Sequence, residues 1–324
     1  MYKRQVHALR IKLSREGLTG FIIPHSDEFQ NEYLPACAER LAWLTGFSGS
    51  AGTAIVLQDR AAIFVDGRYV LQVRNQVDLD VFAPQYLSEV SISEWLISVL
   101  KFGDVLGYDP WLHTPQDLKP IREVCKSLNV GLIPCQKNPL DCIWTDRPPA
   151  PAALAVPHII QYAGQSSEEK RRDLAGKLKD VHADMALLTA PDSIAWLFNI
   201  RGSDVPHTPL PLSFACLWND ESATLFIDRK KISEGLIDHL GSGVSVACIK
   251  EFAITLKEIG YDRRRVLCDP RRTASFIVDQ LKEEGAEIVE SEDPCVLTKS
   301  CKNSVEIEGA REAHKPVSYT HLTL

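Results

Sequence analysis

The residues best suited to chemistry lie in one loop, Arg201-Gly202-Ser203-Asp204-Val205-Pro206-His207. This loop offers three ionisable side chains, Arg201, Asp204 and His207, directly after a short apolar segment. Loops often carry binding groups, and an arginine can bind a carboxylate through two parallel hydrogen bonds. The pattern predicts contact with a polar or zwitterionic ligand at the rim of a site. An internal Arg–Asp pair that braces the loop explains the same residues equally well.

A second charged turn, Asp66-Gly67-Arg68-Tyr69, follows an apolar run in the first half of the chain. It is predicted to be exposed. Asp66 and Arg68 make it a charged turn similar to the loop at Arg201, although a carboxylate that caps the following helix is the simpler interpretation.

Other catalytic patterns are missing from the sequence. The nine histidines are dispersed, and neither H-E-x-x-H nor H-x-E occurs. G-x-S-x-G, the P-loop and G-x-G-x-x-G are also absent. We therefore expect no catalytic residue, no metal ligand and no bound cofactor within this chain.

The loop at Arg201 belongs to a segment that occurs twice. When Trp43 and Trp196 are aligned, L-A-W-L-x-x-F-x-G-S matches I-A-W-L-x-x-I-x-G-S. Both tryptophans are expected to pack in a core. The first copy has Ser48 at the position of Arg201, so any special role of this loop is predicted for the second copy alone. Two such distant copies predict two similar domains in series.

The apolar periodicity around each copy predicts the same order of elements, a helix, a buried strand, the A-W-L segment and a hairpin. Further helices and strands then alternate. The predicted fold class is α/β, with two tandem domains that each contain a mixed β-sheet flanked by helices.

Proline density sets the expected domain boundary. Residues 138–165 contain five prolines, which disfavour helix and central strand, so this range is predicted to be a linker. The domains are expected at 5–137 and 166–300. Residues 301–315 would begin a further helix, and Pro316 would end it before a non-native tail at 316–324.

Composition narrows the possible partners. The net charge is −7, and the basic clusters lie beside acidic ones, which argues against nucleic acid. Nine cysteines form no C-x-x-C pair and lie mostly in apolar runs, which is typical of a reducing compartment. The sequence shows no apolar signal-peptide core and no membrane span. A cytoplasmic protein is predicted.

Three longer motifs occur in order along the chain. They are A-W-L-T-G-F-S-G-S-A-G-T-A with F-V-D-G-R-Y, then I-A-W-L-F-N-I-R-G-S-D-V-P with L-F-I-D, and finally K-N-S-V-E-I-E-G-A-R-E-A-H. Together they resemble the Xaa-Pro aminopeptidases of the creatinase/prolidase family. The resemblance covers about residues 6–315. It implies two creatinase N-terminal-like domains that precede a pita-bread catalytic domain, of which this chain is expected to contain only the start, at residues 301–315.

The resemblance also implies a function. Family members remove the N-terminal residue from peptides with proline in second place, and they use two divalent metals, usually manganese, bound by the catalytic domain. None of those ligands maps onto this chain, so we expect it to be inactive alone. By resemblance, the two domains shape substrate access and form a homodimer. Arg201, Asp204 and His207 would face the cleft, and Trp43, Asp66 and Arg68 would face a partner subunit or the cleft mouth.

Two alternatives remain open. A catalytically dead relative could use this architecture to hold another protein, as histone chaperone subunits of similar fold do. A creatinase-type amidinohydrolase would need only one N-terminal domain, and the internal repeat counts against it.

Overall fold

The computed structural model describes residues 2–322. These residues form two compact units. The first runs up to Pro151 and includes Ala274–Phe276, and the second comprises Ala152–Thr273 and continues from Ile277. None of the described helices is both long and apolar enough to cross a membrane.

The first domain alternates helices and strands around one sheet. Its elements are α1 (Tyr2–Arg15), β1 (Gly20–Pro24), α2 (Arg40–Thr45), β2 (Thr53–Leu57), β3 (Ala61–Val65), α3 (Val70–Gln76), β4 (Ala83–Tyr86), α4 (Ile92–Val99), β5 (Val105–Tyr108), α5 (Pro115–Leu128) and β6 (Gly131–Pro134).

Local sequence explains where several of these helices begin. The side chains of Ser91 and Thr114 each accept a hydrogen bond from the backbone N–H three residues later. The carboxylates of Glu94 and Asp117 in turn accept hydrogen bonds from the backbone N–H groups of Ser91 and Thr114. These capping boxes satisfy backbone donors that the first helical turn leaves unpaired. Helices α4 and α5 therefore begin directly after these capping residues.

The second domain repeats the arrangement with a few insertions. Its elements are β7 (Val156–Pro157), α6 (Ile160–Ala163), α7 (Ser167–Asp180), β8 (Met185–Leu188), α8 (Pro191–Leu197), β9 (Ile200–Arg201), β10 (Phe214–Trp218), β11 (Ala223–Ile227), α9 (Leu236–Leu240), β12 (Val244–Cys248), α10 (Phe252–Tyr261), β13 (Arg265–Cys268), α11 (Ser275–Glu284), β14 (Glu287–Glu290), α12 (Cys295–Ser300) and α13 (Ser304–Leu322).

The two sheets have the same topology. The first has the strand order β4-β3-β2-β1-β5-β6, and the second has β12-β11-β10-β8-β13-β14. In each, the strand before the A-W-L segment pairs antiparallel with the hairpin on one side and parallel with a later strand on the other. The α/β class with two mixed sheets is confirmed.

Apolar residues cover both faces of the first sheet. Phe21 and Ile23 of β1 belong to one core cluster together with Leu9 of α1, whereas Ile22 belongs to another with Leu118 of α5. Successive side chains of a strand point to opposite faces, so a strand that is covered on both sides is apolar throughout. This explains why β1 reads as a continuous apolar run.

The predicted linker at 138–165 has two parts in the structure. Its first part packs on the first domain, where Arg147 Nη1 lies 2.6 Å from Asp141 Oδ2 and the Trp144 ring stacks on Trp43. Its second part forms β7 and α6 within the second domain. The prolines allow these short elements because β7 has only two residues and α6 begins after Pro157, the last proline of the segment.

The prediction that Pro316 ends a helix is wrong. Helix α13 continues through Pro316 to Leu322. Pro316 removes one backbone donor, but a long helix retains the other bonds. Helix α9 begins only at Leu236, directly after Gly235, which adopts φ +75°. Residues 323–324 of the predicted tail lie outside the described residues.

Candidate functional site

The second copy of the repeat places its loop through a tight turn after α8. Asn199 follows this helix with φ +50°, and the aligned Gly46 follows α2 with φ +82°. Left-handed backbone favours glycine and, among other residues, asparagine. Both A-W-L helices therefore stop at the same aligned position, and only the second copy gains a polar side chain there.

Lys170 binds the side chain of Asn199. Its ammonium donates hydrogen bonds to Asn199 Oδ1 at 2.7 Å and to the Trp196 carbonyl at 2.9 Å. The ammonium also lies 4.3 Å from the centroid of the Trp196 ring, a cation–π distance. Burial lowers the pKa of Lys170 to about 8. Trp196 therefore packs in the core as predicted, but it also helps to hold a buried cation.

Sequence reasoning missed Lys170, which reads as one member of the basic cluster Lys170-Arg171-Arg172. A usable signal was present in the repeat. Lys170 and Leu174 are buried in α7 with the same spacing as Gln5 and Leu9 in α1. Aligning the two helices on their leucines would have placed Lys170 in the core rather than in solvent.

Arg201 lies half-buried in β9, which pairs antiparallel with β7. Its Nη1 donates to the Ile200 carbonyl at 2.9 Å and more weakly to the Ala195 carbonyl at 3.4 Å. Burial lowers the pKa of Arg201. The guanidinium is oriented by its own backbone, and part of the side chain reaches the surface.

Arg201 belongs to a group of three basic residues, which we define as the basic cluster: His158, Lys170 and Arg201. Burial is the main cause that lowers the pKa of each member. Arg201 lowers the pKa of both other members further, and Lys170 lowers that of His158. The negative charge of Glu306, at the start of α13, raises the pKa of all three. The cluster is suited to an anionic group, with Glu306 as the acid that faces it.

Asp204 does not lie on a rim, contrary to the prediction. Its side chain is fully buried, and its carboxylate lies 2.6 Å from the ammonium of Lys231. It also accepts hydrogen bonds from the backbone N–H groups of Leu212 and Ala153. The carboxylate braces the loop, as the second interpretation proposed, but its partner is Lys231 and not Arg201.

His207 is exposed and has φ +60°, so it lies at a surface turn. In the part of the chain that the structure describes, no hydrogen bond or ion pair joins any two of Arg201, Asp204 and His207. The three predicted rim residues thus occupy different environments, with Arg201 half-buried, Asp204 buried and His207 in solvent.

The three residues singled out in the first domain also differ from one another. Trp43 is half-buried, and its ring lies 5.3 Å from that of Trp144 in a stacked arrangement. Asp66 accepts a hydrogen bond from the backbone N–H of Arg68, which confirms the cap interpretation. The Arg68 guanidinium binds the same carboxylate at 2.8 Å and lowers the pKa of Asp66. Arg68 remains 62% exposed.

Apolar side chains are also exposed in the second domain. The segment 154–162 contributes five of them, and α13 contributes more. They are Leu154, Val156, Ile159, Ile160, Tyr162, Val305 and Ile307. An apolar surface of this density is typical of an interaction site.

Among the described residues, no group of three or more His, Cys, Asp or Glu side chains is arranged to hold a metal ion. The carboxylates of Asp66 and Asp204 are instead committed to Arg68 and Lys231.

Comparison with known proteins places these features in a family. Two family models described as creatinase/prolidase N-terminal domains match residues 5–140 and 146–306. A probable Xaa-Pro aminopeptidase P of Paracoccidioides brasiliensis (strain Pb03) is 32% identical over 319 residues, which are 94% of this chain and 52% of that protein. A probable Xaa-Pro aminopeptidase P of Coprinopsis cinerea is 31% identical over 329 residues, with 96% and 52% covered.

A solved structure is similar throughout. The X-prolyl aminopeptidase of Caenorhabditis elegans, described as a cytosolic enzyme with a di-nuclear active site, matches with a TM-score of 0.89 and 27% identity. The match covers 97% of this chain and 54% of that enzyme. The chain spans about half the length of the curated relatives that it matches. This chain therefore carries two creatinase/prolidase N-terminal domains in series, and its homologues are Xaa-Pro aminopeptidases.

Proposed function

We propose that this chain supplies the non-catalytic N-terminal domains of a metal-dependent Xaa-Pro aminopeptidase, which removes the N-terminal residue from peptides with proline second. The similarity to the C. elegans enzyme over 97% of the chain carries this proposal. Its relatives are aminopeptidases, so a protein-binding module of the same fold is not favoured. Like the C. elegans enzyme, the protein would act in the cytosol.

Two divalent metals, with manganese as our candidate, would supply the hydrolytic chemistry. The described residues do not offer a ligand set for them, so none of these residues is assigned to the metals. The purified 324-residue chain is expected to release no N-terminal residue from an X-Pro-X peptide with or without manganese. Manganese-stimulated release would contradict the assignment of catalysis to residues outside the two domains.

The two domains would shape the approach of the peptide to the catalytic residues. Arg201 is the strongest candidate for a peptide contact, because it is partly exposed and belongs to the basic cluster. His207, exposed on the same loop, is a weaker candidate. The exposed apolar side chains of α6 and α13 would contact the catalytic domain.

The Arg201 proposal is testable in a protein that joins these domains to a catalytic domain. Arg201→Ala is expected to lower kcat/KM for an X-Pro-X peptide about tenfold, the loss expected for one charged hydrogen bond. Arg172→Ala, which removes an exposed arginine of α7, is the matched control. An unchanged kcat/KM with normal thermal stability would show that Arg201 only orders its own loop.

We further propose a homodimer that uses the surface around Asp66, Arg68 and Trp43. Exposed Leu71 at the start of α3 lies on the chain next to this turn and adds an apolar contact. Sedimentation of the wild-type chain and of Arg68→Glu tests this, and Arg60→Glu is the control because Arg60 forms a similar exposed pair with Asp59. A dimer that persists in Arg68→Glu would place the contact elsewhere.

A further inference from the structure

A cavity of about 330 Å³ lies in the first domain, in a region that the proposed function does not use. Its walls include Glu28, Arg40, Asp109, Trp111, Lys137 and Asp141. Glu28 follows β1, Asp109 comes directly after β5, and Lys137 follows β6. These three strands are parallel neighbours in the sheet. In open α/β sheets, ligands bind beyond the carboxyl ends of such strands.

Arg40 is the central side chain of this cavity. It is only 2% exposed. Its Nε and Nη2 donate to Asp141, and Nη2 also donates to Glu28 Oε1 at 2.9 Å. Its Nη1 is buried and has no hydrogen-bond partner among the described residues. Buried polar atoms in native proteins are nearly always paired, so this donor calls for an acceptor oxygen that the domain itself does not supply.

The charges around the cavity indicate what would carry that oxygen. Three carboxylates, Glu28, Asp109 and Asp141, face two cationic side chains, Arg40 and Lys137. Burial raises the pKa of Asp109. The side chain of Glu28 is 35% exposed, and only its Oε1 binds Arg40. Asp141 is also paired with Arg147, so the charges of this group nearly cancel, and it is the second oxygen of Glu28, which does not bind Arg40, that favours a cationic ligand.

That cation is better explained as organic than as a metal. No group of three potential ligand side chains in the described part of the chain converges closely enough for a metal ion. The volume lies at the lower end of the range of small-molecule pockets. A small ligand with an ammonium beside a carbonyl group matches both the carboxylates and the unpaired Nη1.

The second domain lacks this arrangement although it has the same fold. Ser193 stands at the position of Arg40 in the aligned repeat. Asp269 follows β13 as Asp109 follows β5, but its Oδ2 accepts a hydrogen bond from the backbone N–H of Asp293. The equivalent oxygen of Asp109 accepts from the side chain of Asn138. The charged cavity is therefore a property of the first domain rather than of the fold.

We propose that the first-domain cavity binds the N-terminus of a peptide, with Arg40 Nη1 donating to the first carbonyl oxygen and Glu28 and Asp109 facing the α-ammonium. A free amino acid fits less well, because its carboxylate would meet three acidic side chains. The proposal rests on the cavity and requires no peptidase activity of this chain.

Ligand-observed NMR on the full 324-residue chain tests it, with glycinamide as the probe. Three controls each change one feature. N-acetylglycinamide has no charge, ethylammonium has no carbonyl group, and glycine has a carboxylate in place of the amide. Saturable binding is expected for glycinamide and at least about tenfold weaker binding for each control, since each loses or opposes a charged hydrogen bond.

Glu28→Gln is the primary variant, because it keeps the shape of the side chain and removes its charge. It is expected to weaken glycinamide binding about tenfold. Glu123→Gln, on the exposed side of α5, is expected to leave binding unchanged. Arg40→Lys is a second variant, checked for folding by circular dichroism because it also disturbs the bonds to Asp141.

The proposal is overturned if glycinamide shows no saturable binding, which would mean that water alone fills the cavity. Equal binding of glycinamide and N-acetylglycinamide, or unchanged binding in Glu28→Gln, would also overturn it. Because the readout is binding, these outcomes leave the aminopeptidase assignment untouched.

Discussion

Replacing Asp204 with alanine should destabilise the second domain by about 3–5 kcal/mol, the cost of removing one partner from a buried ion pair. The side chains of Asp204 and Lys231 are 0% and 5% exposed, and their charged atoms lie 2.6 Å apart. The variant would leave the Lys231 ammonium with only the Leu212 carbonyl as a hydrogen-bond partner, at 3.2 Å. It would also leave the backbone N–H groups of Leu212 and Ala153 unpaired.

A double-mutant cycle separates the ion pair from the other bonds. Lys231→Met removes the buried cation, so the double variant should be more stable than the sum of the single changes predicts, by about 2 kcal/mol. Arg172→Ala is the control. It breaks an exposed pair with Glu168, whose side chains are 55% and 69% exposed, and should cost about 0.5 kcal/mol or less.

The assay is urea unfolding monitored by amide hydrogen exchange, with the amides of β10 and β11 as probes of the second domain. Exchange resolves the two domains, which need not unfold in one step. A loss of less than about 1 kcal/mol for Asp204→Ala, or a coupling energy near zero, would refute the assignment of Asp204 as a brace. The residue would then be available again as a ligand contact.

Other predictions concern the glycines and the buried lysine. Gly202→Ala should destabilise the chain by about 1–3 kcal/mol, because the new Cβ would lie 2.8 Å from the backbone nitrogen of Pro211. Gly176→Ala, in α7 with open space around it, should instead stabilise it by about 0.5–1 kcal/mol. Urea midpoints measure both, and equal signs would contradict the structural reason. Lys170 has a folded pKa lowered to about 8 from 10.5, so the unfolded state binds more protons between those values and stability should rise with pH across that window. Lys170→Met should flatten this rise and exposed Lys119→Met should not, as followed by urea unfolding from pH 7 to 10.5.

Local signals were sufficient for most of the architecture. The capping residues Ser91, Thr114 and Ser166 begin helices that can be recognised in the sequence, because a cap depends on residues only three positions apart. The repeated A-W-L segment correctly predicted two similar domains. Local signals failed at Pro316, because this proline was predicted to end a helix that in fact continues through it.

The candidate site was harder to predict, because a side chain's partner lies far away along the chain. Asp204 and Lys231 are 27 residues apart, and Lys170 and Asn199 are 29 apart. The sequence could show that Asp204 was ionisable, but it could not show whether its carboxylate faced solvent or a buried ammonium. The interpretation that Asp204 braces its own loop was right, but the expected partner, Arg201, was wrong.

The amino-acid sequence alone determined the α/β class, the duplication and the resemblance to Xaa-Pro aminopeptidases. Periodicity, caps and motifs depend only on residues that are close together along the chain. Only the tertiary structure decided that Asp204 is buried, that Lys170 lies against Trp196, and that Arg40 retains an unpaired donor. Burial and pairing arise when segments up to about a hundred residues apart meet, as Arg40 and Asp141 do, 101 positions apart.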